Sequence, residues 1–118
     1  ILNKVYKREA VFDFPQYFVV TKDKSEAKID FVIYFQVTDS VKYTYNAEKP
    51  MFALESLCID MFKKIIAEKE LHEIEDSKDI INEDLRVRLN IETDFLGIKI
   101  NRAELKKISI LYESVNLK

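Results

Sequence analysis

The sequence predicts an α+β domain, in which a mostly antiparallel sheet packs on two main helices. Three observations support this. Ile29–Thr38 alternates apolar and polar residues with period two, as a half-buried strand does. Apolar residues then recur at three- and four-residue spacing after Pro50, the pattern of an amphipathic helix. The single glycine, Gly97, separates a second helical pattern from a closing extended segment.

Length and composition indicate one domain, residues 1–118. A chain of 118 residues with 47% hydrophobic and 34% charged residues is neither disordered nor embedded in a membrane. Nineteen Lys and Arg against 21 Asp and Glu give a net charge of -2, which argues against a nucleic-acid partner. The chain starts at Ile1, not at an initiator Met, so we expect it to be a segment of a longer protein.

The strands are expected in the first third and at the end. A first extended stretch contains Val5, Val11, Phe12 and Phe14 and stops at Pro15, and Tyr17–Thr21 forms another. The polar turn Lys22–Ser25 precedes the long strand, which places Ile29, Phe31, Ile33, Phe35 and Val37 on one face, toward the core. The closing strand begins at Ile98 and continues to about Ile110.

Two helices lie between these strands. The first begins at Pro50, a favourable first helical residue, and its apolar stripe is Met51, Leu54, Cys58, Met61 and Ile65, widened by Phe52, Leu57, Phe62 and Ile66. Leu71–Ile74 is expected to be a short bridge. The second helix starts at Asp76 or Ser77, with Asp79 in its first turn. Its predicted apolar side is Ile80, Ile81, Leu85, Val87, Leu89 and Ile91.

Few residues are candidates for chemistry. His72 is the only histidine, and no Ser, Cys or Asp stands at a diagnostic catalytic spacing from it. Cys58 lies on an apolar stripe, where cysteine usually behaves as a small hydrophobe. The acidic residues between Glu68 and Asp79 lack the ligand spacing and central glycine of a calcium loop, so a solvated cluster is the simpler interpretation. We expect no catalytic residue, no cofactor and no metal site.

The second face of the long strand is mixed and is the candidate contact surface. It carries Val32 and Tyr34 between polar residues, and Tyr43 and Tyr45 follow shortly after the strand. Exposed aromatic residues without a surplus of basic residues are typical of protein interfaces rather than of nucleic-acid stacking platforms. We therefore predict a homotypic interface at Val32, Tyr34, Tyr43 and Tyr45.

Short motifs along the chain resemble those of the SPFH (band 7) superfamily, which includes stomatin, prohibitin, flotillin and HflK/HflC, with stomatin-like proteins the most similar. The motifs are Pro15-Gln16, Thr21-Lys22-Asp23, Tyr34-Phe35-Gln36-Val37-Thr38-Asp39, Val41-Lys42, Tyr45-Asn46, Pro50, Ala53-Leu54, Leu71, Ile74, Asp76, Ile80, Thr93-Asp94, Gly97-Ile98-Lys99-Ile100, Arg102, Glu104-Leu105-Lys106 and Ile108. The resemblance extends from about Val11 to Ile110. The departures are Gln36 for an arginine, Ser40 for a proline, Ala67 for a glycine, Phe95-Leu96 for a tryptophan and Ser77-Lys78-Asp79 for Arg-Glu-Glu.

The resemblance implies a non-catalytic, oligomerising scaffold domain. Its partners would be further copies of itself or a paralogous subunit, the membrane through segments outside this chain, and a membrane protease or channel. The full-length protein would be membrane-associated and would carry a coiled-coil tail, whereas this segment would be soluble and in a reducing compartment. Two alternatives remain open: a generic α+β peptide- or ligand-binding module, and an enzyme that uses His72 or the acidic residues.

Overall fold

A computed structural model describes residues 9–45 and 50–114. For Pro50 and Met51 it describes the backbone but not the side chain. The described chain contains one antiparallel sheet with strand order β1-β2-β3, formed by β1 (Ala10–Val20), β2 (Glu26–Val37) and β3 (Ile98–Tyr112). Its α-helices are α1 (Ser40–Tyr45), α2 (Pro50–Ala67), α3 (Leu71–Asp76) and α4 (Lys78–Thr93), and a 3-10 turn spans Asp94–Leu96. The predicted α+β class is confirmed. The predicted positions of Val5 and of the Met51 side chain lie outside the described residues.

The inner face of the sheet forms the core, as the alternation in β2 predicts. Ile29, Phe31, Ile33 and Phe35 are buried, and Val37 is half-buried against the same cluster. Four aromatic rings continue this core from the sheet into α2, with centroid distances of 4.3 Å between Phe12 and Phe14, Phe14 and Phe31, and Phe31 and Phe62. This stack joins β1, β2 and α2 into one hydrophobic core.

The predicted stop at Pro15 is wrong, because β1 continues through it to Val20. The pairing register with β2 shifts between Phe14 and Tyr17, so Pro15 and Gln16 lie in a bulge. A proline has no N–H to give to a ladder, but β1 is an edge strand, and proline is tolerated at bulges and on edges.

The helices differ from the prediction in two ways: a predicted bridge is a helix, and the buried sides of the helices are narrower than expected. Leu71–Asp76 is not a bridge but the short helix α3, whose Glu73 carboxylate accepts the backbone N–H of Glu70 at 2.9 Å. In α4 only Ile81, Leu85, Leu89 and Thr93 are buried, spaced four residues apart. Ile80, Val87 and Ile91 lie on the opposite side of the helix and are exposed, and Phe52 on α2 is also exposed. The predicted apolar stripes were therefore too broad.

Gly97 adopts the left-handed conformation expected of it, with φ 71°. Its carbonyl accepts the N–H groups of Thr38 and Asp39 at 2.8 and 3.0 Å, which fixes the start of α1 beside β3. A Cβ atom on Gly97 would lie 2.8 Å from the Lys42 Cβ. Only glycine therefore suits both the backbone angle and the space.

Two asparagines of α4 bond the backbone of edge strand β3. Ile100 donates its N–H to Asn90 Oδ1 at 2.8 Å, and Asn90 Nδ2 donates to the Ile100 carbonyl at 3.0 Å. Leu105 donates its N–H to Asn82 Oδ1 at 2.9 Å. Asn82 and Asn90 thus supply β3 with the hydrogen bonds that a neighbouring strand would otherwise provide.

Candidate functional site

On the outer face of the sheet, polar side chains of the two edge strands meet above the central strand β2. Lys106 Nζ lies 3.2 Å from Asp13 Oδ1, and Gln16 Nε2 donates to Ser109 Oγ at 3.1 Å; each pair joins β3 to β1. Near the other end, Asn101 Nδ2 donates to Gln36 Oε1 at 3.1 Å. These contacts form a polar layer over β2.

This layer determines how much of Val32 and Tyr34 is exposed. Val32 pairs in register with Asp13 and Glu104, and its side chain is only 4% exposed. Tyr34 is half-buried, because the Arg102 guanidinium lies 4.1 Å from its ring centroid in a cation–π contact. Val32 therefore offers almost no contact surface of its own, and Tyr34 presents part of a ring that Arg102 already covers.

Tyr43 and Tyr45 lie on α1 and point in different directions, since two residues on a helix are about 200° apart. Tyr43 is half-buried and packs against the core, while Tyr45 is 84% exposed. Tyr45 lines a shallow apolar depression of about 550 Å³ with Ser40, Val41 and Thr44. The four candidate residues are thus divided between the sheet and α1, and their role as an interface stays a prediction.

The Thr21-Lys22-Asp23 motif ties the β1–β2 turn to the rest of the domain. The Asp23 carboxylate accepts hydrogen bonds from the Thr21 hydroxyl, from Ser25 Oγ at 3.3 Å and from the Leu71 N–H at 3.3 Å. The Thr21 hydrogen bond is the largest cause of the lowered pKa of Asp23. Lys22 also donates its N–H to the Lys69 carbonyl at 2.8 Å. The motif therefore has a structural role, which is to hold the turn against the start of α3.

Neither candidate for chemistry lies in a catalytic arrangement. His72 is exposed on α3, and its Nδ1 lies 3.4 Å from Glu70 Oε1. Cys58 is fully buried in α2, and burial raises the pKa of its thiol to about 12, so the reactive thiolate is strongly disfavoured.

The acidic residues near α3 have structural partners. Glu68 Oε1 accepts a hydrogen bond from Arg88 Nη2 at 3.1 Å, which lowers the pKa of Glu68, and Glu73 bonds to the N–H of Glu70. Among residues 9–45 and 50–114, no group of three or more His, Cys, Asp or Glu residues is placed to hold a metal ion. Within the same ranges, no helix has the length and apolar character needed to cross a bilayer.

The exposed apolar residues of α4 were predicted to be core residues, and that prediction is wrong. Ile80, Val87 and Ile91 lie together on the side of α4 that faces away from Ile81, Leu85 and Leu89. The angles between residues around the helix could have separated the two sets. Residues at four-residue steps from Ile81 share one side of the helix, about 150° from the side that Ile80 and Val87 share.

The fold defines a small α+β domain in which one face of a three-stranded antiparallel sheet packs on helices. The family model described as the SPFH domain / Band 7 family matches residues 2–113 of this chain. An uncharacterized protein of Methanocaldococcus jannaschii is 34% identical over 105 residues, which are 89% of this chain and 53% of that protein. A Band 7 protein of Drosophila melanogaster is 28% identical over 91% of this chain and 21% of its own length. Stomatin-4 of Caenorhabditis elegans is 26% identical over 92% of this chain and 38% of its own length.

The chain belongs to the SPFH domain / Band 7 family, as its motifs predict. Proteins of this family are membrane-associated, and their SPFH domains are generally not enzymatic. The chain spans about half or less of the length of these three relatives.

Proposed function

We propose that this chain is the oligomerising scaffold domain of a membrane-associated protein. It acts through self-assembly and contact with partners rather than through catalysis. The complete protein organises a region of membrane and regulates a membrane protease or channel there. The observation that carries the proposal is the family match over nearly the whole chain.

The placement of the reactive groups supports a non-catalytic role. Cys58 is inaccessible and His72 stands on an exposed helix beside one carboxylate. The polar side chains above β2 pair with one another across the sheet; Asp13 and Lys106 are one such pair. Side chains that pair with one another in this way stabilise the surface, whereas catalytic side chains typically line a pocket within reach of a substrate.

The alternative is a generic α+β module with a ligand groove between helices and sheet. In this chain the aromatic stack fills the space between α2 and the sheet, where Phe31 and Phe62 are in direct contact. The apolar depression beside Tyr45 is open and shallow and does not enclose a ligand as a groove would. These observations favour the scaffold over the ligand-binding module.

The test is the assembly state of the full-length gene product. We expect the protein to sediment with membranes and, in mild detergent, to have the mass of many copies by light scattering. Cross-linking in native membranes should recover a membrane protease or channel. A full-length protein that is monomeric and does not sediment with membranes would overturn the proposal.

His72→Ala and Cys58→Ala in the full-length protein separate the scaffold from an enzyme. Both variants should assemble on membranes like the wild type, provided that circular dichroism shows an unchanged fold. Loss of a measurable turnover in a folded variant would contradict the non-catalytic role.

A further inference from the structure

The side of α4 that faces away from the core carries a stripe of aliphatic side chains. Ile80, Val87 and Ile91 are 68%, 42% and 70% exposed. Because α2 and β3 pack against other sides of α4, these side chains have no role in the core. Isolated exposed aliphatic residues are ordinary, but these three lie along one line of a four-turn helix, with Asp84 between Ile80 and Val87.

The spacing of this strip is that of a helix-packing seam. With Asp84 included, the positions 80, 84, 87 and 91 follow one another at intervals of four, three and four residues. These are the intervals of the core positions in a heptad repeat. The series is the same in both directions along the helix. Two antiparallel copies would therefore place Ile80 opposite Ile91 of the second copy, and Asp84 opposite Val87 of the second copy.

We propose that this α4 stripe (Ile80, Asp84, Val87 and Ile91) is a homotypic contact, in which α4 of a second copy packs antiparallel about a two-fold axis. The inference rests on the proposed scaffold function and names the surface that two copies share. A symmetric contact of this kind needs a patch complementary to itself, and a seam that reads the same from both ends meets that requirement.

The charged side chains beside the stripe are already paired within the chain. Arg88 Nε lies 2.9 Å from Asp84 Oδ1, and the same guanidinium bonds Glu68. On the other flank, Arg86 Nε donates to Glu83 Oε1 at 3.0 Å. Ile80 and Ile91 thus lie at the ends of the stripe, and Val87 and the ion-paired Asp84 lie between them. A single polar seam residue, here Asp84, fixes the register of a helix pair at some cost in affinity.

The size of the stripe favours a second copy over an independent partner. From position 80 to position 91 the helix rises about 16 Å, so the contact is far smaller than the roughly 800 Å² per partner of a stable complex. So small a surface pairs appreciably only when both molecules are held at high local concentration. Copies of one scaffold on one membrane meet that condition.

Opposite charges at one position test the geometry. Val87→Glu would face Asp84 of the second copy and repel it, whereas Val87→Lys would face the same carboxylate and attract it. In sedimentation equilibrium of the 118-residue chain, we expect Val87→Glu to raise the dimer dissociation constant about tenfold or more, and Val87→Lys to raise it clearly less. Phe52→Glu, at another exposed apolar side chain, serves as the control and should leave the dissociation constant unchanged.

Cross-linking tests the direction of the helices. Ile80→Cys and Ile91→Cys chains, mixed and treated with a short bis-maleimide at high protein concentration, should give mixed dimers in excess over dimers of either chain alone. The native Cys58 is fully buried and does not compete for the reagent. An excess of unmixed dimers would mean parallel helices and would overturn the proposal.

Three further results would also overturn it: equal effects of Val87→Glu and Val87→Lys, an effect of Phe52→Glu as large as that of Val87→Glu, or a wild-type chain that stays monomeric up to millimolar concentration. So would loss of flotation with phosphatidylcholine–phosphatidylserine vesicles in Val87→Glu while self-association is unchanged, since the stripe would then bind lipid. If full-length Val87→Glu still assembles on membranes, the scaffold function stands and only this contact is wrong.

Discussion

Removal of the Phe31 ring is the perturbation that should damage the core most. Phe31 is 0% exposed, and its ring lies 4.3 Å from Phe14 on one side and 4.3 Å from Phe62 on the other. Loss of its transfer free energy costs about 3 kcal/mol. The cavity and the two lost ring contacts bring the expected cost of Phe31→Ala to about 4–5 kcal/mol.

A loss of this size is a large part of the 5–15 kcal/mol that stabilises a typical domain. Urea unfolding followed by circular dichroism should give it directly, and the melting temperature should fall by at least about 10 °C. The matched control is Phe52→Ala, which removes an equally large ring that is 68% exposed and should change stability by less than about 0.5 kcal/mol.

Tyr34→Ala provides an intermediate case on the other face of β2. It removes a half-buried ring and its contact with Arg102, so we expect a cost of about 1–2 kcal/mol. Equal losses for Phe31→Ala and Tyr34→Ala would refute the assignment of the two faces of the strand. Equal losses for Phe31→Ala and Phe52→Ala would refute the burial argument itself.

Three further predictions concern Gly97, Asp23 and Cys58, and Lys24 serves as a comparison for Gly97. Gly97→Ala should destabilise the fold by about 2 kcal/mol or more in urea unfolding, because the φ of 71° and the close neighbours of Gly97 exclude a Cβ atom. Lys24 has a φ of 70°, which favours glycine, so Lys24→Gly should stabilise the fold by up to about 1 kcal/mol. The pKa of Asp23 is lowered in the folded chain, so its carboxylate stabilises the fold fully above the unfolded pKa of about 3.9. This contribution is lost as the pH falls through the folded pKa. The difference in unfolding free energy between wild type and Asp23→Asn should therefore be larger at pH 6 than at pH 2. Cys58, with a pKa of about 12, should react with a maleimide at pH 7.5 only when urea unfolds the chain, as followed by mass spectrometry.

Each of these predictions has an opposing result. A Gly97→Ala variant as stable as the wild type would mean that the turn can adopt another conformation. A wild-type advantage over Asp23→Asn that does not change with pH would mean that the charge of the carboxylate is unimportant. Rapid labelling of Cys58 without urea would show that α2 separates readily from the sheet.

The periodicity of the sequence was sufficient to predict the sheet face and the central part of α2. Alternation in β2 identified Phe31 and Ile33 as core residues, because in a strand every second side chain shares a face. The strand end predicted at Pro15 was wrong, since a proline ends a central strand but not an edge strand with a bulge. Whether a strand is an edge is a property of the whole sheet, and a single local stretch does not contain it.

The width of a helical stripe was harder to predict than its existence. Aliphatic residues at 80, 87 and 91 look the same in sequence as those at 81, 85 and 89, and only the position of α2 and β3 around α4 separates them. The outer face of the sheet was equally hard to predict. Val32 is buried although it lies on this face, and its strand neighbours Asp13 and Glu104 lie about 20 positions before it and about 70 positions after it. A local sequence pattern does not show which distant residues will lie beside it.

In the scaffold that we propose, copies of this domain lie close together, and the asparagines that bond β3 then have a consequence. An exposed strand edge at high local concentration is a template on which the next chain can add a strand, and repeated addition gives a continuous fibre. Asn82 and Asn90 occupy the backbone groups of Leu105 and Ile100 that such an addition would need. Copies of this domain can therefore be brought close together through side-chain contacts while this part of β3 is kept from joining them into an extended sheet.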